Sequence, residues 1–276
     1  MTADRGSRAV TPAAPSLRPG DAPPLPALDA HAHLPMPADE YPLASTRAIV
    51  LAMTASIAEY RQALRWQHPL VVWAVGVHPA DPHAVAAAAA LDDTALAAPM
   101  MDAPVVGEIG LDGTGQTPMP AQRDLLSRLL AALHRTPRPT SLHSRRAVSE
   151  TVDALRYAPP GVILHWWTGG RSATQAVLDA GCYISVNIAQ ARRIDLLTWL
   201  PRDRVLVETD HPYGGRSAPP GSVGAVEHAL AETWGSSRGQ VRHQVWRNFD
   251  QLLTDTGSRS VQSPFVQQLC MLARTS

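Results

Sequence analysis

Six short stretches of this chain carry the imidazole and carboxylate groups that bind divalent metals or move protons. The first is Asp29-Ala30-His31-Ala32-His33, with two histidines two residues apart. Side chains at that spacing on a strand point to one face, so both imidazoles can aim at a single point. The others are Val77-His78-Pro79, Gly107-Glu108-Ile109-Gly110-Leu111-Asp112, His143-Ser144-Arg145, His165-Trp166-Trp167 and Glu208-Thr209-Asp210. One such histidine alone usually caps a helix or bonds a carbonyl. The set resists that explanation, because several buried ionisable groups in one place are costly to desolvate unless they are paired or hold a cation.

Imidazole and carboxylate donors without thiolate suit zinc, manganese, magnesium or a similar divalent ion. Two ions are expected. Glu108 is the natural bridge, since its two oxygens can bind cations roughly 3.5–4 Å apart. His31, His33 and Asp210 are assigned with Glu108 to one metal, and His143 and His165 with Glu108 to the other. Asp210 and Glu108 are the expected catalytic pair, Asp210 also orienting the attacking water. Composition supports a carboxylate bridge: all 24 positive side chains are arginines, so no lysine exists to form a carbamate, a Schiff base or a phosphate-loop contact.

These groups must be positioned by strands and helices. Eight apolar runs are expected as strands, at Ala27–Ala30, Ala48–Met53, Val71–Val77, Val105–Ile109, Thr140–Leu142, Val162–Leu164, Tyr183–Val186 and Val205–Glu208. Helical spacing falls at Ser56–Trp66, Pro82–Ala97, Pro120–His134, Val148–Leu155, Ser172–Ala180, Ala191–Leu200, Val223–Glu232 and Val241–Leu253, with a weak further helix near Pro37–Thr46. Continuously apolar strands alternating with helices indicate a parallel sheet covered on both faces. Eight such units predict an α/β fold, a single (β/α)8 TIM-type barrel, and the ionisable residues fall at the strand ends that form its mouth.

The first 25 of the 276 residues are rich in Pro, Ala, Arg and Gly without periodicity and read as a disordered leader. The barrel is expected over 26–257 and a C-terminal tail over 258–276, with Phe265 and Leu269–Leu272 able to dock. Positive and negative residues balance at 24 each, which disfavours a basic nucleic-acid coat protein but permits a local basic rim. Two distant cysteines, Cys182 and Cys270, suggest neither a disulfide scaffold nor a zinc finger, so a cytoplasmic location is expected. No apolar run long enough for a membrane span or a signal core is found, and no membrane partner is expected.

Taken in order, these motifs resemble the TatD-type metal-dependent deoxyribonucleases, which belong to the amidohydrolase-like metallohydrolases. The likeness covers about residues 27–254 and includes Leu164-His165-Trp166-Trp167-Thr168-Gly169, Val207-Glu208-Thr209-Asp210-His211-Pro212-Tyr213 and the terminal Asn248-Phe249. It implies the same barrel, divalent metals at the positions above, and hydrolysis of DNA phosphodiesters, often from the 3′ end. The departures bear on substrate. Gly113-Thr114-Gly115 stands where the family carries aromatic residues, Arg145-Arg146 where it has Arg-Asp, and Trp166-Trp167 where Cys-Phe is common. Arg216-Ser217-Ala218-Pro219 only partly matches an Arg-Asn-x-Pro stretch. The tryptophan pair and the strand Cys182-Tyr183-Ile184-Ser185-Val186-Asn187 resemble the TatD-like nuclease of the Qat antiphage systems more than housekeeping members.

Substrate contacts are expected from His78, Arg145, Trp166, Tyr213 and Arg216, with Arg146, Arg171, Arg192 and Arg193 flanking. Arginine can meet phosphate, and an exposed indole can receive an unpaired base. Single-stranded DNA or DNA 3′ ends are the expected partner. A D-aminoacyl-tRNA deacylase or other amide or ester hydrolase is the first alternative, and a subunit of a defence complex with protein partners is the second.

Overall fold

The structure is a computed structural model that describes residues 25–35, 47–213 and 218–275. The apolar runs form β1 (Ala27–His33), β2 (Ala48–Met53), β3 (Val71–Val75), β4 (Val105–Gly110), β5 (Thr140–His143), β6 (Val162–His165), β7 (Tyr183–Val186) and β8 (Val205–Val207). They make one sheet in chain order, each neighbouring pair parallel. Closure comes from bonds between β1 and the residues just after β8. The Asp210 N–H donates to the His31 carbonyl at 2.9 Å and the His33 N–H to the His211 carbonyl at 2.7 Å. The buried Asp29 carboxylate adds a side-chain tie, accepting from the Thr209 N–H (2.9 Å), the Thr209 hydroxyl (2.6 Å) and the Gly221 N–H (2.8 Å). The expected (β/α)8 barrel is therefore the fold, and each predicted strand is present within a few residues of its expected ends.

Around the sheet lie α1 (Ile57–Ala63), α2 (Pro82–Ala89), α3 (Asp93–Asp102), α4 (Met119–Arg135), α5 (Val148–Ala154), α6 (Arg171–Asp179), α7 (Ile188–Ala191), α8 (Ile194–Trp199), α9 (Gly224–Trp234), α10 (Arg238–Asp255) and α11 (Pro264–Thr275). The helix expected over Pro82–Ala97 is broken into two, and the one expected over Ala191–Leu200 is shortened behind a separate short helix. The Asp92 side chain accepts from the Ala95 N–H and starts α3 as a new helix. Asn187 and Gln190 form a capping box that starts α7 early, and α8 follows as a separate helix. The helix expected near Pro37–Thr46 lies outside the described residues, as do residues 1–24 of the expected leader.

After its last strand the chain plugs the barrel. From α10, the Trp246 indole N–H donates to the Pro26 carbonyl ahead of β1 and the Asn248 amide to the Val205 carbonyl at the start of β8. Helix α10 therefore crosses the N-terminal end and leaves the opposite end as the mouth. The stretch 258–276, expected as a tail, instead carries α11, whose Val266, Leu269, Cys270 and Ala273 are buried, while Phe265 is exposed. Asp250 of α10 fastens it by pairing with Arg259 and with Arg274. Among the described residues no single helix is long and apolar enough to cross a membrane.

Candidate metal centre

Every expected ligand reaches the mouth. His31 and His33 end β1, Glu108 lies near the end of β4, His143 ends β5, His165 ends β6, and Asp210 follows β8. Close backbone approach makes room for this convergence. A Cβ on Gly76 would lie 2.2 Å from the Glu108 nitrogen, and one on Gly110 would lie 2.1 Å from the His143 carbonyl oxygen. Glycine is needed at both. Trp166 (φ 39°), Arg146 (φ 49°) and Asp210 (φ 50°) adopt left-handed backbone just beyond strand ends. Conformations of this kind are costly for residues other than glycine and cluster where function holds them.

Glu108 is at the centre, 1% exposed, with its two oxygens facing different donors. Oε2 lies 3.2 Å from His33 Nε2, 3.8 Å from His31 Nε2 and 3.5 Å from His78 Nε2. Oε1 lies 2.5 Å from His143 Nδ1 and 2.6 Å from His165 Nε2. On the first side, His31 Nε2 is also 3.3 Å from His33 Nε2 and 3.6 Å from Asp210 Oδ1. Ligands at about 2.0–2.1 Å from one tetrahedral zinc are about 3.3–3.4 Å apart, so His31, His33 and Glu108 fit a shared cation, while Asp210 falls in an adjoining group with His31 and His165. On the second side, His143 Nδ1 and His165 Nε2 are 3.1 Å apart and both face the same Glu108 oxygen.

Outer partners orient the rings. His143 Nε2–H donates to Asp112 Oδ2 at 2.8 Å, leaving the Nδ1 lone pair for the centre. Asp112 is itself held by the Thr114 N–H and hydroxyl (both 2.6 Å) and the Gly115 N–H (3.0 Å). Burial opposes its charge, but the bonds from His143 and Thr114 outweigh burial and keep Asp112 well below the usual carboxylate range. His31 Nδ1 meets Ser141 Oγ at 2.7 Å, and Glu208 accepts the Trp166 N–H at 3.0 Å with its Oε1 3.8 Å from His165 Nδ1.

His78 behaves differently. Its Nδ1 accepts the Ala80 backbone N–H at 3.1 Å, so the neutral ring must carry its proton on Nε2. That nitrogen presents N–H to Glu108 rather than a lone pair to a cation. Although His78, Glu108 and His143 are spaced closely enough for a metal, this tautomer makes His78 a donor at the rim.

Protons hold the cluster together without metal. Burial disfavours charge on Glu108, yet His165 and His143 keep its carboxyl well below the ordinary value. For His143 and His165 burial acts downward, but Glu108 outweighs it and both are raised. Burial first, then His165, pushes His31 well below its usual value. Asp210 is pushed up to about 7 by burial and the neighbouring Glu208 and Glu108 carboxylates, with His165 acting against them.

Of the expected substrate residues, Tyr213 stands edge-on to His33 with ring centroids 5.5 Å apart and is 67% exposed. Trp166 is half-buried, whereas Trp167 is wholly buried and donates to the Thr174 hydroxyl, so only the first indole is available at the surface. Arg145 is exposed beyond β5, and Arg216 lies outside the described residues. Sequence reasoning missed Ser141, Gln122 and the Asp29 tie. Gln122 locks the Asp112 backbone, accepting its N–H at 2.7 Å and donating to its carbonyl at 3.0 Å. Asp29 was readable only as part of the Asp-x-His-x-His spacing.

Residues 28–254 match the TatD related DNase family. The chain belongs to this family. A 3′-5′ ssDNA/RNA exonuclease TatD from Edwardsiella piscicida is 36% identical over 172 residues, which span 57% of this chain and 65% of that protein. The matched segment thus falls just short of two thirds of that relative. An uncharacterized metal-dependent hydrolase TatD from Mycobacterium tuberculosis is 29% identical over 74% of this chain and 89% of its own length. Among solved structures, the TatD homolog YjjV of Escherichia coli superposes with a TM-score of 0.69 at 22% identity, covering 82% of this chain and 97% of that one. That likeness is one of fold.

Proposed function

We propose that this TatD-family chain is a divalent-metal-dependent hydrolase that cleaves DNA phosphodiester bonds as an exonuclease at single-stranded 3′ ends. The observation that carries the reading is Glu108, whose Oε2 faces His31 and His33 while its Oε1 faces His143 and His165. One buried carboxylate with a donor set on each oxygen is the arrangement of a two-cation bridge. His31, His33, Asp210 and Glu108 would hold one ion, and His143, His165 and Glu108 the other. When bound, such ions lower the pKa of a coordinated water and offset charge on phosphoryl oxygens.

The remaining chemistry falls to the chain's own groups. Asp210 accepts the proton of the attacking water and orients it. His78 donates its Nε2–H to a phosphoryl oxygen. Trp166 offers a stacking surface for the terminal base, Tyr213 walls the site beside His33, and Arg145 and Arg216 meet neighbouring phosphates. The relatives named as exonucleases support this substrate class. A cytoplasmic location and a role in antiphage defence with protein partners are part of the same proposal, the latter resting on Trp166-Trp167 and the Cys182-Tyr183-Ile184-Ser185-Val186-Asn187 segment around β7. An end-labelled single-stranded DNA tests the activity. Stepwise shortening from the 3′ end that stops with chelator is expected, and intact DNA alongside release of amino acid from charged tRNA would replace this reading with the deacylase.

A further inference from the structure

A second cluster of polar groups lies at the end of the barrel opposite the metal centre and takes no part in the proposed chemistry. Arg202, just before β8, and the α9–α10 junction enclose a groove of about 350 Å³ lined by Arg202, Trp234, Ser236, His243 and Arg247, with glutamines of α10 completing the wall. None of its lining residues is acidic.

The groove floor holds groups that lack partners among the described residues. Trp234 is only 8% exposed, and its indole N–H, which can only donate, has no acceptor. Ser236 Oγ and His243 Nδ1 are also buried and unpartnered. A buried donor without an acceptor is costly, and the indole N–H has beside it a hydroxyl that can also donate and an imidazole nitrogen that does so in one tautomer.

Two guanidinium groups stand beside them. Arg202 lies 5.6 Å over the Trp234 ring and uses one N–H on the Trp234 carbonyl at 2.8 Å. Arg247 uses one on Gln244 Oε1 at 2.8 Å. Each keeps further N–H groups, in the fork geometry that suits phosphate oxygens. Burial, then the nearby Arg247 and Arg242, holds His243 below its ordinary value.

We infer that this groove is a second anion site, distinct from the metal centre, that holds one phosphate group through Arg202, Arg247 and the Trp234 indole N–H. The inference does not depend on the nuclease reading. The group is either free phosphate or a backbone phosphate of nucleic acid, since both present the same oxygens.

The test uses full-length protein kept metal-free with chelator, so that the mouth cannot capture phosphate through a cation. The Trp234 indole N–H resonance, assigned by its loss in Trp234→Phe, is followed by proton–nitrogen NMR during titration with inorganic phosphate. A saturable shift is expected. Its midpoint should rise at least about tenfold in the Arg202→Gln/Arg247→Gln double variant. Because Arg202 also supports the Trp234 backbone, Arg247→Gln alone is the second variant and should weaken the shift as well. A parallel titration with a short oligonucleotide lacking terminal phosphates separates the sources: a matching shift assigns the site to the nucleic-acid backbone, and a shift with inorganic phosphate alone assigns it to free phosphate. A resonance that stays in place with both probes, or moves equally in wild type and both variants, overturns the inference.

Discussion

Asp112→Asn separates a ligand's position from its protonation state. Asp112 Oδ1 accepts three hydrogen bonds, from the Thr114 N–H, the Thr114 hydroxyl and the Gly115 N–H, while Oδ2 accepts from His143 Nε2 at 2.8 Å. An asparagine of the same shape must keep its carbonyl oxygen toward those three donors. Its NH2 then faces His143, so Nε2 has to accept and the ring proton moves to Nδ1. Nδ1 is the atom that meets Glu108 Oε1 at 2.5 Å, and with a proton it can no longer bind a cation. Outer-partner changes cost roughly 10- to 100-fold in metal affinity, or about 1.4–2.7 kcal/mol. The upper end is expected here because a ligand lone pair is lost outright. Metal-free protein titrated with zinc against a competing chelating dye should show the His143–His165 site weakened about a hundredfold and the His31–His33–Asp210 site little changed. Imidazole nitrogen shifts should report the switched tautomer of His143. Affinities within about twofold of wild type at both sites, with the tautomer switched, would refute the ligand assignment of Nδ1.

His78→Ala should leave the metal content unchanged and lower turnover about a hundredfold, as expected for a lost donor to a developing oxyanion; elemental analysis decides, since a fall in bound metal would make His78 a ligand. Metal uptake should be pH-dependent. Asp210 is raised to about 7 in the metal-free chain, so protons compete increasingly below that pH and affinity should drop as pH falls, with proton release on binding. Calorimetry in buffers of different ionisation enthalpy measures that release, and its absence through pH 6 to 8 would contradict the raised value. Cys182 and Cys270 are both pushed up to about 12, chiefly by burial, and should resist iodoacetamide in the folded protein at about pH 8. Mass spectrometry after native alkylation checks this, and one rapidly added label would show an open path to the thiol.

The barrel was legible because its strands are buried on both faces and so read as continuous apolar runs, such as Ala48-Ile49-Val50-Leu51-Ala52-Met53. The candidate ligands were legible because barrel topology brings every strand end to one mouth, so His31, Glu108, His143, His165 and Asp210 needed no contact information to be grouped. Asp112 and Glu208 were readable as partners that orient a ligand imidazole, but which ring nitrogen faces the centre was hidden. His143 presents Nδ1 and His165 presents Nε2, and that difference depends on Asp112, which lies far from His143 in sequence. The role of His78 depends on a bond to Ala80 two residues on, formed where Pro79 turns the chain. Helix α11 was underestimated because its anchor is Asp250, paired with Arg259 ahead of the helix and Arg274 in its last turn, rather than marked by apolar period alone.

Anomalous scattering from crystals of the native, metal-loaded chain shows whether Glu108 bridges two cations. Two ions about 3.5–4 Å apart with one Glu108 oxygen on each are expected, and elemental analysis should find their number reduced in Glu108→Gln. A lone ion that leaves Glu108 unbound, or full metal content in Glu108→Gln, would contradict the account.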